Sequence, residues 1–249
     1  MSSYALVIDV SNQWIAVGLC GANLRLEKNR RAPREASNRL VPLIGELLQE
    51  AGVKKPDWIV CARGPGSFTG VRIGVCAART LAQFWEIPVF GVDSLAFYAY
   101  AAFRALEEDP EKIPDRIGVM IDGKQKRVYA RFFQPGADPV EQFSSESLDI
   151  PPAVFIEQHE SAVEKNGPSR IQSPPRYFAD EPDIVRSYFR EGDSIPEILS
   201  LPVPRASVLY ELALLVKGKE RAGDWADLLP EYLREDPARS KFPHGYKAS

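Results

Sequence analysis

A glycine-rich stretch near residue 64 carries the residue types most able to do chemistry. Glycine adopts positive φ and lets the backbone approach a ligand closely, and free N–H groups at a helix start can hold an anion. One interpretation is therefore a phosphate site. The other is a tight strand-to-helix connection that packs closely on a sheet. The stretch contains Arg63, Gly64, Pro65, Gly66, Ser67, Phe68, Thr69, Gly70, Val71, Arg72, Ile73 and Gly74.

The glycine spacing differs from that of the familiar nucleotide loops. A G-x-G-x-x-G motif starting at Gly64 would need glycine at position 69, where the chain has Thr69. No G-K-S or G-K-T triplet follows, so the stretch is not a Walker loop. On these residues alone, the structural connection and the phosphate site both remain open.

Other reactive groups are sparse. The two histidines, His159 and His244, are too far apart for an H-E-x-x-H or His-x-x-x-His pair, and no G-x-S-x-G motif is present. The sequence therefore predicts no catalytic residue, no metal site and no cofactor. Three cysteines, Cys20, Cys61 and Cys76, are isolated within apolar segments, which predicts small buried side chains in a reducing compartment.

Two aspartates end apolar strands in corresponding positions. Kinases of the actin-type fold place an acidic residue beside a glycine turn in each half, but only Asp122 is followed by glycine, whereas Asp9 precedes Val10. No Gly-Gly pair follows residue 150. We expect both aspartates to be turn formers. The alternative is a small actin-fold enzyme, a kinase or an acyl or carbamoyl transferase, with both near a phosphate.

The spacing of apolar residues predicts the elements that position these groups. A helix should begin near Asn38, capped by Ser37 or Asn38, with Pro42 in its first turn. This first helix should end at Ala51. Two further helices are expected at Val71–Glu86 and Ser94–Leu106. The expected strands of this half are Tyr4–Asp9, Trp14–Cys20, Leu24–Lys28, Trp58–Ala62 and Pro88–Val92.

The opening pattern returns after a charged linker, Glu107–Asp115. We expect strands at Arg116–Asp122, Arg127–Phe133 and Val140–Phe143 and a helix at Ala206–Lys217, with residues 151–204 unassigned. The repeat predicts an α/β actin/Hsp70/sugar-kinase-like fold. Its two duplicated βββαβα-type subdomains would cover residues 1–107 and 108–249, the second being divergent.

The stretch from Gly64 to Gly74 closely resembles the G-P-G-S-F-T-G-L-R-I-G signature of the TsaB/YeaZ family. Flanking segments are similar in the same order: Asn38–Gly52, Ile87–Leu95, Ile121–Ala130 and Pro230–Arg234. The chain departs from the family's D-T-S-T start, having Asp9-Val-Ser-Asn12, and Asp122-Gly-Lys124 replaces D-A-R. These departures affect the second half most.

The resemblance implies a non-catalytic scaffold in the threonylcarbamoyladenosine modification of tRNA. Its partner would be the catalytic paralogue TsaD, joined by the ATPase TsaE, with tRNA reached indirectly and a homodimer formed alone. The expected partner-binding residues are Leu40, Leu43, Ile44, Leu47, Val71, Gly74, Ala78 and Trp85. A self-associating protein of unrelated role is a further alternative.

Composition fits these expectations. The 249 residues are 45% hydrophobic with a net charge of −3, so any RNA contact must be local. The basic cluster Lys28, Arg30, Arg31 and Arg34 either contacts the phosphates of tRNA or belongs to a solvated loop. No apolar run reaches the roughly 18–20 residues of a membrane span, and the N-terminus lacks a signal-peptide pattern. We therefore expect a cytoplasmic protein.

Overall fold

The computed structural model describes residues 3–107, 113–134, 146–158, 174–217 and 223–234. The first of its two sheets has the strand order β3-β2-β1-β4-β5. An antiparallel meander forms one side, and β4 and β5 extend the sheet in parallel from β1. The elements are β1 (Tyr4–Asp9), β2 (Trp14–Gly21), β3 (Arg25–Arg31), α1 (Ala36–Ala51), β4 (Trp58–Ala62), α2 (Phe68–Trp85), β5 (Val89–Val92) and α3 (Ser94–Leu106).

The second sheet has the order β10-β9-β6-β7-β8, which is the same topology strand for strand. Again a three-strand meander is extended by two parallel strands. This repeat confirms the predicted duplication and the α/β actin-like fold. The elements are β6 (Ile117–Asp122), β7 (Val128–Phe133), β8 (Leu148–Ile150), a helix α4 over residues 152–158, β9 (Arg176–Ala179), α5 (Pro182–Arg186), β10 (Ile198–Ser200) and α6 (Ala206–Lys217).

Two helices lie between the sheets. Helix α3 packs on β6 and β7 of the second sheet, whereas α6 packs on the first sheet, and the two helices contact each other. Their apolar side chains form one core with both sheets, centred on Phe97, Tyr98 and Leu209. Helix α3 of the first half thus packs on the second sheet, and α6 of the second half packs on the first sheet. The subdomain boundary at residue 107 stays a prediction.

Several local expectations were wrong. Helix α1 begins at Ala36 after Glu35, without a side-chain cap, so Pro42 lies inside the helix and not in its first turn. Helix α2 starts three residues earlier than predicted because Ser67 caps it. Cys20 and Cys61 are buried as predicted, but Cys76 is exposed on α2.

Parts of the second half also departed from expectation. The stretch 151–204, left unassigned from the sequence, contains the short elements α4, β9, α5 and β10. The strand predicted at Val140–Phe143 lies outside the described residues, and the third strand of the meander is β8. No helix in the described part of the chain combines the length and apolar character needed to cross a membrane.

Candidate functional site

The loop from Gly64 to Gly70, called the signature loop here, packs directly on the end of β1. A Cβ atom on Gly70 would overlap the carbonyl oxygen of Val10, and one on Gly66 would overlap that of Ser11. The Ser67 amide donates a hydrogen bond to the Ser11 carbonyl at 2.7 Å. Glycine is therefore required here for close backbone approach, as the structural interpretation of the loop expects.

The polar groups of the signature loop are largely used inside the chain. The Gly64 amide donates to Ser94 Oγ at 3.0 Å, and the Ser94 amide donates to the Gly64 carbonyl at 2.8 Å. Ser67 Oγ accepts from the Gly70 amide at 3.3 Å and so caps α2. These bonds fix the loop as a connection between β4 and α2.

A second motif, far away in sequence, lies against this loop. The Tyr232 ring is 5.2 Å from the Phe68 ring. The Arg72 guanidinium lies 3.7 Å from the Phe68 centroid, and its Nε donates to the Tyr232 hydroxyl at 2.8 Å. The sequence identifies Pro230–Arg234 only as a segment similar to one in the TsaB/YeaZ family. Nothing in the spacing placed it here, because the contact is purely tertiary.

A cleft of about 1180 Å³ opens between the two halves. Both sheets, the signature loop and the C-terminal residues contribute to its walls. The residues that bear on its chemistry are Ser11, Ser67, Thr69, Asp122, Lys124 and Asp180.

Asp9, the acid that ends β1, is sealed beneath the cleft. Its carboxylate accepts hydrogen bonds from the Ser11 amide at 2.9 Å, from Ser11 Oγ at 2.7 Å and from the Tyr98 hydroxyl at 2.6 Å. All three residues are buried. Burial raises the pKa of Asp9, although these hydrogen bonds oppose the shift. The carboxylate is thus occupied by the chain and is not presented to a ligand.

Asp122, the corresponding acid of the second half, is held by its own neighbours. Burial acts to raise its pKa, but hydrogen bonds from Lys124 and Tyr188 outweigh burial, and the pKa is lowered. The Tyr188 hydroxyl donates at 2.7 Å and the Lys124 amide at 2.9 Å. The Lys124 ammonium forms an ion pair with the same carboxylate. The negative charge is therefore compensated within the chain.

Asp180 completes this acidic group at the cleft wall. Its Oδ1 accepts the Asp122 amide at 2.9 Å, and burial raises its pKa to about 7. Within the described ranges, no group of three or more His, Cys, Asp or Glu residues is placed to hold a metal ion. His159 and His244 lie outside those ranges.

Most of the predicted partner-binding residues fill the first half's own core, where the apolar stripe of each helix packs on the sheet. Their role in partner binding stays a prediction. Leu43 and Trp85 are half-buried against the same core. The six buried residues are Leu40, Ile44, Leu47, Val71, Gly74 and Ala78.

Beside the buried stripes, the same two helices carry further apolar residues. Of these, Leu48, Ile73, Ala77 and Leu81 are half-buried against the core, and the two helices pack against each other. Phe84 is 78% exposed and Val41 is 60% exposed. Small and apolar residues recur there at intervals of three or four, and this spacing could have identified a second apolar surface from the sequence. We define the outer face as Val41, Gly45 and Leu48 of α1 with Ile73, Cys76, Ala77, Thr80, Leu81 and Phe84 of α2.

The basic cluster before α1 is partly neutralised. Lys28 pairs with Glu50 at 2.8 Å, and Arg31 pairs with Glu181 at 2.8 Å across the two halves. Arg30 and Arg34 are exposed, and Arg34 also lines the cleft. The cluster does not form a uniform cationic surface.

Comparison with known proteins identifies the family of this chain. A family model described as TsaD, tRNA N6-adenosine threonylcarbamoyltransferase, matches residues 29–183, more than half of the chain. A Haemophilus influenzae relative, named tRNA threonylcarbamoyladenosine biosynthesis protein TsaB, is 32% identical over 96% of this chain and 96% of its own length. The chain belongs to the TsaB family. The resemblance predicted from Gly64–Gly74 is thereby confirmed.

Two further comparisons concern the fold and the relation to a transferase. A solved structure of YeaZ from Pseudomonas aeruginosa has a TM-score of 0.68 at 26% identity, covering 93% of this chain and all of that one. A tRNA N6-adenosine threonylcarbamoyltransferase from Corynebacterium diphtheriae is 30% identical over 39% of this chain and 27% of its own length. The chain is thus also similar to a named transferase over part of its length.

Proposed function

We propose that this chain is a non-catalytic subunit in the formation of threonylcarbamoyladenosine in tRNA, and that it binds and activates TsaD. The observation that carries the proposal is the outer face. Phe84, 78% exposed, and Val41, 60% exposed, lie on two helices that pack together, and a patch of exposed apolar residues marks a protein-binding site. The sealed Asp9 and compensated Asp122 support a binding role rather than chemistry in the cleft.

The partner is inferred from the fold. Because the chain matches the TsaD family model, TsaD should carry an equivalent helix pair. Equivalent faces on similar chains can pack about a pseudo-two-fold axis, as identical faces do in symmetric dimers. Gly45 and Ala77 are small and allow the helices of the two chains to approach closely. The same face would support a homodimer without TsaD, and TsaE would join the larger complex.

Activation would follow from selective binding. A subunit that binds the active conformation of TsaD more tightly than the inactive one shifts the population towards the active state. An interface of about 1,600 Å² in total is ordinary for such a complex. The chain would therefore act on tRNA only through its partner.

Titration calorimetry with TsaD from the same organism tests the proposal. Phe84→Glu places a charge on the outer face at its most exposed apolar residue and should weaken binding about a hundredfold or more. Leu214→Glu is the matched control, because Leu214 is a 47% exposed apolar residue on α6, away from this face. It should change affinity by no more than about twofold.

Two outcomes would contradict the proposal at different levels. Equal affinity of the Phe84→Glu and wild-type chains would reject the outer face as the docking surface. Absence of binding by the wild-type chain would reject the partner itself.

A further inference from the structure

The C-terminal residues 223–234, called the strap here, run along the exposed edge of α2. Gly223 forms a two-hydrogen-bond bridge with Val89 of β5, at 3.1 and 3.3 Å. Arg79 of α2 donates to the Leu228 carbonyl at 3.2 Å and lies over the Trp225 ring. Leu228 is buried in the first core. The strap is therefore anchored on the first half.

The middle of the strap is fixed to the signature loop. The Glu231 amide donates to the Arg63 carbonyl at 2.7 Å, and the two side chains form an ion pair at 3.2 Å. A Cβ on Gly64 would come within 2.6 Å of the Glu231 carbonyl oxygen, so glycine makes room for the strap. Tyr232 then covers Phe68 and accepts from Arg72, which fixes the first turn of α2.

The end of the strap crosses to the second half. Arg234 makes a two-point contact with the carboxylate of Asp149 in β8, with both distances 2.7 Å. It also donates to the Gly123 carbonyl at 3.1 Å. Two-point arginine–carboxylate pairs are strong and strict in geometry. Burial acts to raise the pKa of Asp149, but hydrogen bonds from Arg234 and Arg127 outweigh it and lower the pKa.

We infer that the strap is a clasp that positions the outer face. It ties the first turn of α2 to β8 through Tyr232 and Arg234, so the orientation of α2 depends on the contact between the halves. The inference rests on the proposed function, because the property being positioned is TsaD binding. Arg234 and Tyr232 would be positioning residues that do not themselves need to contact TsaD.

The test compares Arg234→Ala and Tyr232→Ala with a matched control, Arg127→Ala. Arg127 pairs with the same Asp149 carboxylate, at 3.0 Å, but belongs to the second half and not to the strap. Arg234→Lys keeps a charge without the two-point geometry and serves as the milder variant. Circular dichroism checks that each chain is folded. Hydrogen exchange of the amides at 69–72 reports the clasp, and calorimetry reports TsaD affinity.

Arg234→Ala and Tyr232→Ala should speed exchange at 69–72 and weaken TsaD binding about tenfold, with Arg234→Lys in between. Arg127→Ala should change neither. Phe84→Glu should weaken binding without changing exchange, which a general loss of structure would not produce.

Three results would overturn the inference or its basis separately. Wild-type affinity in both strap variants would overturn the clasp while leaving the proposed function intact. Unchanged exchange in Arg234→Ala would also overturn it. A wild-type chain that does not bind TsaD would contradict the proposed function, whatever the exchange shows.

Discussion

The two halves share a strand topology but differ in the layer outside their sheets. Helices α1 and α2 of the first half have 16 and 18 residues. Their counterparts are α4, described over residues 152–158, and α5, which has 5 residues. A five-residue helix is little more than one turn and cannot present a stripe of side chains. The sheets thus preserve the fold, whereas only the outer helices of the first half are long enough to carry the proposed docking surface.

The strand-to-helix connections differ in the same way. In the first half, Gly66 and Gly70 lie against the backbone that directly follows β1, and Gly64 lies beneath the strap. In the second half, β9 reaches α5 through Asp180 and Glu181, without glycine. The first connection must bring a long helix close to the sheet, whereas the second needs only to complete a turn.

The largest expected effect tests this contrast between connections. Gly70→Ala forces a Cβ into the Val10 carbonyl oxygen and should lower the free energy of unfolding by about 3 kcal/mol. Gly45→Ala is the control, because nothing lies within 4 Å of the added Cβ in α1. It should raise stability by about 0.5–1 kcal/mol. Urea denaturation measures both, and a tolerated Gly70→Ala would show that close approach is dispensable.

The sequence predicts those elements that nearby residues define and misses those that depend on contacts between distant residues. Strands β1, β4 and β6 are continuous buried apolar runs, so their residues define them locally. Strands β9 and β10 have 4 and 3 residues and depend on tertiary pairing with β6 and with each other. The clasp between Tyr232 and Phe68 joins residues too distant for any periodicity to relate.

The candidate surface shows a different limit. The sequence correctly drew attention to α1 and α2 as apolar helices. It could not decide which side packs inward, because Leu40 and Val41 are neighbours of similar character. The structure buries Leu40 and leaves Val41 60% exposed. Only packing on the sheet resolves such a choice.

The next effect compares the outer helices of the two halves directly. Val41→Glu on α1 should weaken TsaD binding about thirtyfold, because an unpaired carboxylate would be desolvated in the complex. Val154→Glu on α4 makes the same substitution at a 37% exposed valine of the second half. It should leave affinity within about twofold. Calorimetry measures both affinities. A similar loss of TsaD affinity in both variants would contradict the proposal that only the first half binds TsaD.

The smallest effect concerns the acids at the cleft. Burial raises the pKa of Asp180 to about 7. The folded chain therefore holds a proton that the unfolded chain loses at about pH 4, and stability falls as pH rises between about 4 and 7. Asp180→Asn retains an acceptor for the Asp122 amide and removes this fall. It should be more stable than wild type at pH 8, and the difference should shrink as pH falls towards about 4.

Asp122 provides the opposite sign for comparison. Its pKa is lowered, so its contribution is fully present above the ordinary pKa of aspartate, about 4, and is lost as pH falls below that value through the lowered pKa. Asp122→Asn should therefore be destabilising at pH 7, by about 1 kcal/mol. Urea denaturation at pH 5 and 8 distinguishes the two variants. A shared pH dependence would mean that the two carboxylates do not have the separate environments described above.

Reconstituted transfer of the threonylcarbamoyl group to tRNA tests the central claim most directly. The rate would be measured for TsaD alone, for the chain alone, and for TsaD with the wild-type or Phe84→Glu chain, with TsaE and ATP held constant. We expect no transfer by the chain alone, stimulation of TsaD by the wild-type chain, and loss of that stimulation in Phe84→Glu. Transfer by the chain without TsaD, or equal stimulation by both chains, would contradict the central claim.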